Sequence, residues 1–175
     1  MPPVNEAAFW SLIETARATG GPDADLLPVL SDLLLELPPE EIAGFDARLD
    51  DCLARAATRE LWAAAYLINA GCSEEGFEAF CGWLVAQGRE TFERALRDPA
   101  SLASAIVMDP EWDAELEDLL YVAREAYEEK TRRRLPPNAS RDLASLECDE
   151  DTLERMYPAL AQRSLERFEP LIDPD

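Results

Sequence analysis

The chain has 175 residues, 47% of them hydrophobic, and 37 acidic side chains against 16 basic ones give a formal charge of −21. That length and apolar content suit one domain with a core of its own and exclude wholesale disorder. The charge repels phosphate backbones and anionic lipid, which argues against nucleic acid and membrane partners and leaves a basic protein or peptide.

The chain contains no histidine. Ser-His-Asp triads, Cys-His dyads, imidazole bases and His-ligated zinc are therefore unavailable. There is no Gly-rich phosphate loop of P-loop or Rossmann spacing. The opening "MPPVNEAAFW" has no basic n-region and no apolar h-region, and no run reaches the roughly 18 apolar residues of a membrane span. Both point to the cytoplasm. Cys52, Cys72, Cys81 and Cys148 form no C-x-x-C pair and read as reduced thiols in that compartment.

In chain order, Asn5 caps a first helix that runs to about Ala18, with Phe9, Leu12, Ile13 and Ala16 on one face, before the break at Gly20-Gly21-Pro22. A second helix starts near Asp25, which places Pro28 in its first turn. Its expected stripe is Leu27, Leu30, Leu34 and Leu37, flanked by Leu26 and Leu33. Pro39, Glu40 and Glu41 open a third helix, with Ile42, Phe45, Leu49, Cys52 and Leu53 inward. Thr58 caps "RELWAAAYLINAG", apolar around most of its circumference and so expected at the centre of the fold.

Gly71 is expected to end that helix in a left-handed conformation. Ser73 then caps a fifth helix, with Glu74 and Glu75 in its first turn and Phe77, Phe80, Cys81, Leu84 and Val85 on one face. "RETFERALRD" makes a sixth, and Pro99 opens "PASLASAIV". After a turn at Asp109-Pro110, the longest helix is expected over "EWDAELEDLLYVAREAYEEKTRRR", with Trp112, Leu116, Leu119, Leu120, Ala123 and Tyr127 inward. Its acids lie early and its basic run, Lys130 and Arg132 to Arg134, lies late, as the helix dipole prefers. "LPPNAS" is a linker, one more helix runs from about Asp151 to Tyr157, and Pro158 divides it from a last short segment. No segment reads as a period-two strand. The expectation is an all-α fold: a single irregular helical domain of about seven to nine helices, with a core over residues 1–136 and a C-terminal extension, 137–175, packed on it.

The stretches "FWSLIETAR", "LWAAAYLINAGCSEEGFEAFCGWLVAQGRETFERALRDPASLA", "YVAREAYEEKT" and "LERMYPAL" together resemble a bacterial family known as domain of unknown function 4240. The likeness runs from about Phe9 to Leu160, and its fingerprint is a helix end, Gly-x-Ser-acid-acid, then Phe-x-x-Phe-x-x-Trp-Leu. The resemblance implies a helical cytoplasmic protein and supplies no activity.

The candidate ligand-binding residues are Trp62, Tyr66, Asn69, Ser73, Glu74, Glu75 and Trp83. Aromatics around one amide suit a small-molecule pocket and equally suit helix packing. Clustered carboxylates can split their pKa values or hold a cation, and they are also what any helix start favours. No metal site and no cofactor is expected. Two function classes follow. One is a non-enzymatic interaction or regulatory module with an acidic surface for a basic partner. The other is an enzyme or small-molecule binder with a pocket at the end of the central helix, around Asn69, Glu74 and Glu75.

Overall fold

The computed structural model describes residues 4–146 and 148–169. Residues 1–3, 147 and 170–175, which include the ends of both expected regions, lie outside the described residues. The described chain is all-α. Its helices are α1 (Glu6–Gly20), α2 (Leu26–Glu36), α3 (Pro39–Ala56), α4 (Arg59–Asn69), α5 (Glu74–Ala86), α6 (Arg89–Arg97), α7 (Val122–Thr131), α8 (Glu150–Met156) and α9 (Pro158–Phe168). Short 3₁₀ turns at Asp23–Asp25, Pro99–Ala105, Glu117–Leu120 and Ala144–Leu146 bring the helical elements slightly above the expected number. None of the described helices is long and apolar enough to cross a membrane.

Local signals set most of these boundaries. Asn5 accepts the Ala8 N–H at 2.8 Å, Thr58 the Leu61 N–H at 3.2 Å and Ser73 the Gly76 N–H at 3.0 Å. Each supplies an acceptor to a donor that the first turn leaves unpaired. Two details differ from expectation. The inner row of α2 is Leu26, Leu30 and Leu34, while Leu27 and Leu37 are only partly covered; an i, i+4 row starting at the first helical residue faces the core. At the end of α4 it is Ala70, with φ 54°, that takes the left-handed conformation, and Gly71 follows with φ 142°. The Gly71 N–H then reaches back to the Tyr66 carbonyl at 2.9 Å.

α4 and α5 form the centre. Leu61, Trp62, Ala63, Ala64, Ala65, Leu67 and Ile68 are buried on α4, and α5 buries every residue from Ala79 to Ala86. A row of ring contacts crosses this core, Trp62 to Phe77 to Phe80 to Trp83 to Trp112, with centroids 5.1, 6.1, 5.6 and 5.8 Å apart. α1 packs on α2, α3 on α7, and α8 and α9 on α4. Lys130, in the basic run, donates to the Leu35 carbonyl at 2.7 Å and so serves the C-terminus of α2. The buried thiols of Cys52 and Cys81 form no disulfide, and loss of solvation pushes the Cys52 pKa up to about 12 and that of Cys81 higher still.

The largest departure from expectation falls at 111–134. The expected longest helix is not there: α7 begins only at Val122, and α3, with 18 residues, is the longest. Leu116 has φ −146° and ψ 73°, and its N–H donates to the Ala79 carbonyl on α5 at 2.9 Å. Backbone groups that an α-helix would pair internally are held by neighbouring elements instead.

Candidate functional site

The segment "DPEWDAELE", 109–117, holds its acids at every second residue: Asp109, Glu111, Asp113, Glu115 and Glu117. All five are exposed, whereas Pro110 and Trp112 are half-buried and Ala114 and Leu116 are buried. The backbone therefore sends one row inward and one outward, as alternation requires of a strip packed on a single face. Asp109 starts it with a turn, its carboxylate accepting the Glu111 N–H at 2.9 Å and its carbonyl the Trp112 N–H at 3.1 Å.

Asn69 holds the middle of the strip. Its Oδ1 accepts the Ala114 N–H at 2.9 Å and its Nδ2 approaches the Ala114 carbonyl at 3.5 Å. One amide side chain thus meets both polar groups of one backbone residue. The strip also lies so close to α5 that a Cβ on Gly82 would come within 2.6 Å of the Leu116 carbonyl oxygen.

This arrangement brings the strip over the first turn of α5. A Cβ on Gly76 would stand 3.1 Å from Glu115 Oε1 and 3.2 Å from Ser73 Oγ. Exposed Glu74 and Glu75 precede that glycine. Loss of solvation, then the charges of Asp113 and Glu117, raise the Glu115 pKa above the ordinary carboxylate value. Around this acidic ledge the chain leaves large apolar side chains uncovered: Val107 is 45% exposed, Met108 44% and Tyr121 47%.

The seven residues singled out from sequence fall in four places. Asn69, Ser73, Glu74 and Glu75 meet at the ledge, the first two as backbone supports. Trp62 is buried against Phe77. Tyr66 lines a shallow cavity of about 150 Å³ with Glu150, Glu154 and Phe168, and Trp83 borders a separate cavity of about 340 Å³ with Asp23 and Trp112. Neither cavity is lined by Asn69, Glu74 or Glu75. From sequence the acids of 111–117 read as the favourable early charges of a helix, although their strict alternation is the contrary signal: a helical surface does not repeat every second residue. Among the described residues, no group of three or more acids and thiols is arranged to hold a metal ion.

Comparison with known proteins places the chain in a family. The family described as protein of unknown function (DUF4240) matches residues 4–129, and the chain belongs to it. That span includes α1 to α6, the ledge and most of α7, and it stops before α8 and α9. No curated protein and no solved structure matches the chain.

Proposed function

We propose that the protein is a non-enzymatic interaction module whose acidic ledge docks a basic segment of a partner protein. The observation that carries this reading is the outward row Asp109, Glu111, Asp113, Glu115 and Glu117, fixed to the core through Asn69 and Leu116. Here five acids stand in one row, and loss of solvation, then the charges of Asp113 and Glu117, raise the Glu115 pKa, an effect that a cationic partner would counter. Exposed Val107, Met108 and Tyr121 supply apolar area beside the charge, the combination of contact and steering that protein interfaces use.

A peptide with lysine at every second position tests the reading. It should bind the full chain at low salt and weaken steeply as salt rises. The triple variant Asp113→Asn, Glu115→Gln, Glu117→Gln should lose at least about tenfold in affinity, roughly 1.4 kcal/mol. A second triple variant on α8, Glu150→Gln, Asp151→Asn, Glu154→Gln, makes the same change in net charge. Equal losses in the two variants would mean that only total charge matters, and the ledge would no longer be the site.

A further inference from the structure

A second site lies on the inner side of the strip, in the cavity of about 340 Å³ bordered by Arg17, Asp23, Trp83, Thr91, Arg94 and Trp112. Its volume is at the lower end of small-ligand sites. Its walls come from α1, the Asp23–Asp25 turn, α5, α6 and the Pro99–Ala105 turn, which adds Ser101 and Ser104.

Asp23 organises the cavity. Trp83 Nε1 donates to one of its carboxylate oxygens at 3.0 Å and Trp112 Nε1 to the other at 3.2 Å. The two indoles meet edge to face, 5.8 Å between centroids. Asp23 holds this position with φ 52°, a left-handed backbone that Asp adopts more readily than most residues with a side chain. Trp112 is further fixed by Arg167, whose guanidinium lies 5.5 Å from the ring centroid. Arg167 is 1% exposed and has no hydrogen-bond partner among the described residues. Arg167 also lies over the Phe168 ring, 4.2 Å from its centroid, so the two indoles are held between Asp23 on one side and this cation on the other, as a preorganised site requires.

Gln87, which also lines the cavity, is committed through its Nε2 to the Trp83 carbonyl at 3.1 Å, and the Ser104 hydroxyl donates to the Ser101 carbonyl at 3.1 Å, so the donors left to a ligand are mainly the guanidiniums and the Thr91 and Ser101 hydroxyls. Asp23 already accepts from two donors. Arg17 gives Nη1 to the Gln87 carbonyl at 2.6 Å and Nη2 to the Gln87 side chain at 3.4 Å, out of five N–H donors that a guanidinium carries. Arg94 pairs with Glu90, whose side chain is 86% exposed, and such surface pairs are weak enough to exchange. In a chain of charge −21, two guanidiniums, three hydroxyls and two indoles share one cavity.

We propose that this cavity binds a small organic oxyanion, a carboxylate or a phosphate ester on a flat apolar body. Arg17 and Arg94 hold the anionic group with Thr91 and Ser101 around it, and Trp112 takes the flat body. Planar forked guanidiniums match both oxyanions.

The test uses the full-length ¹⁵N-labelled chain and reads the indole N–H signals of Trp83 and Trp112, the latter assigned by its loss in Trp112→Phe. The probes are benzoate, phenyl phosphate, the neutral benzamide and the cationic benzamidinium. Benzoate, phenyl phosphate or both should shift the two signals in a saturable way, and benzamidinium should leave them in place. The tighter of the two anions assigns carboxylate or phosphate ester. Arg94→Gln should weaken the anion at least tenfold, while Arg97→Gln, the same change one helical turn away, should not. Three results would each overturn the proposal: no response to either anion, an equal response to benzamidinium, or equal anion binding by Arg94→Gln.

Discussion

Residues 59–97 and 107–121 lie side by side in the molecule and are built by opposite means. The first stretch is three helices with their own punctuation: Thr58 and Ser73 as caps, and Gly88 with φ 93° before α6. The caps at Thr58 and Ser73 act within their own helices, although the first turn of α6 also takes an acceptor from α1, Glu14 Oε1 lying 3.3 Å from the Arg89 nitrogen. In the second, Ala114 is held by Asn69 from 45 residues away and Leu116 by the carbonyl of Ala79. The comparison teaches that here regular structure is local, while the irregular strip is imposed by what it packs against.

The largest effect that can break this comparison is at Asn69. Asn69→Ala strands both polar groups of Ala114, each worth about 1–3 kcal/mol when left unsatisfied in a covered site. A total loss of about 2–4 kcal/mol is expected in denaturant melts. A loss no larger than that of a cap residue would mean that the strip is not held through Asn69.

Gly82→Ala comes next. The new methyl meets the Leu116 carbonyl at 2.6 Å, a backbone atom that cannot swing aside. A loss of about 1–3 kcal/mol is expected, as for other overpacked sites. Amide exchange should show the damage in the strip rather than in α5.

Ser73→Ala removes a purely local device and should cost about 1 kcal/mol, while Ser73→Gly should cost only a few tenths. Neither change should loosen Ala114, and loosening there would show the two regions to be coupled.

The smallest effect sharpens the account of the ledge. The Glu115 pKa is raised in the folded state, so the folded chain binds that proton more tightly than the unfolded one. Its contribution is therefore favourable below the unfolded value and is lost as pH rises through the folded value. Glu115→Gln should be neutral or slightly stabilising at pH 7, because the side chain is exposed and solvent screens most of the effect. The variant's stability should also depend less on pH across the carboxylate range. A destabilised Gln variant would mean that the carboxylate is held by attraction, and the crowding argument would fail.

These two regions also mark what the sequence made legible. α1, α3, α4 and α5 follow from helical spacing and from Asn5, Pro39, Thr58 and Ser73, because their causes lie within a few residues of their effects. From sequence the segment 111–121 reads as helix because Leu116, Leu119, Leu120 and Ala123 also satisfy helical spacing. What decides against a helix is a carbonyl on α5 and an amide on α4, which no window around residue 114 contains. Asn69 shows the same limit from the other side. Its position at a helix end marked it as polar and available, yet its partner is a backbone residue far along the chain. At the cavity, Trp83 was legible as an aromatic candidate, but Asp23, Trp112 and Arg94 come from separate elements that only the fold brings together.

The pairing of Asn69 with Ala114 has a consequence in time. α4 and α5 can form their turns as soon as their own residues are present, since local contacts close quickly. The strip has nothing to attach to until both have docked, because its anchors are the end of one and the side of the other. The outward row of acids is therefore expected to take shape only after that docking, which amide exchange during refolding would test at Ala114 and Leu116. A partner that recognises those acids in register would be reading whether the chain has finished folding.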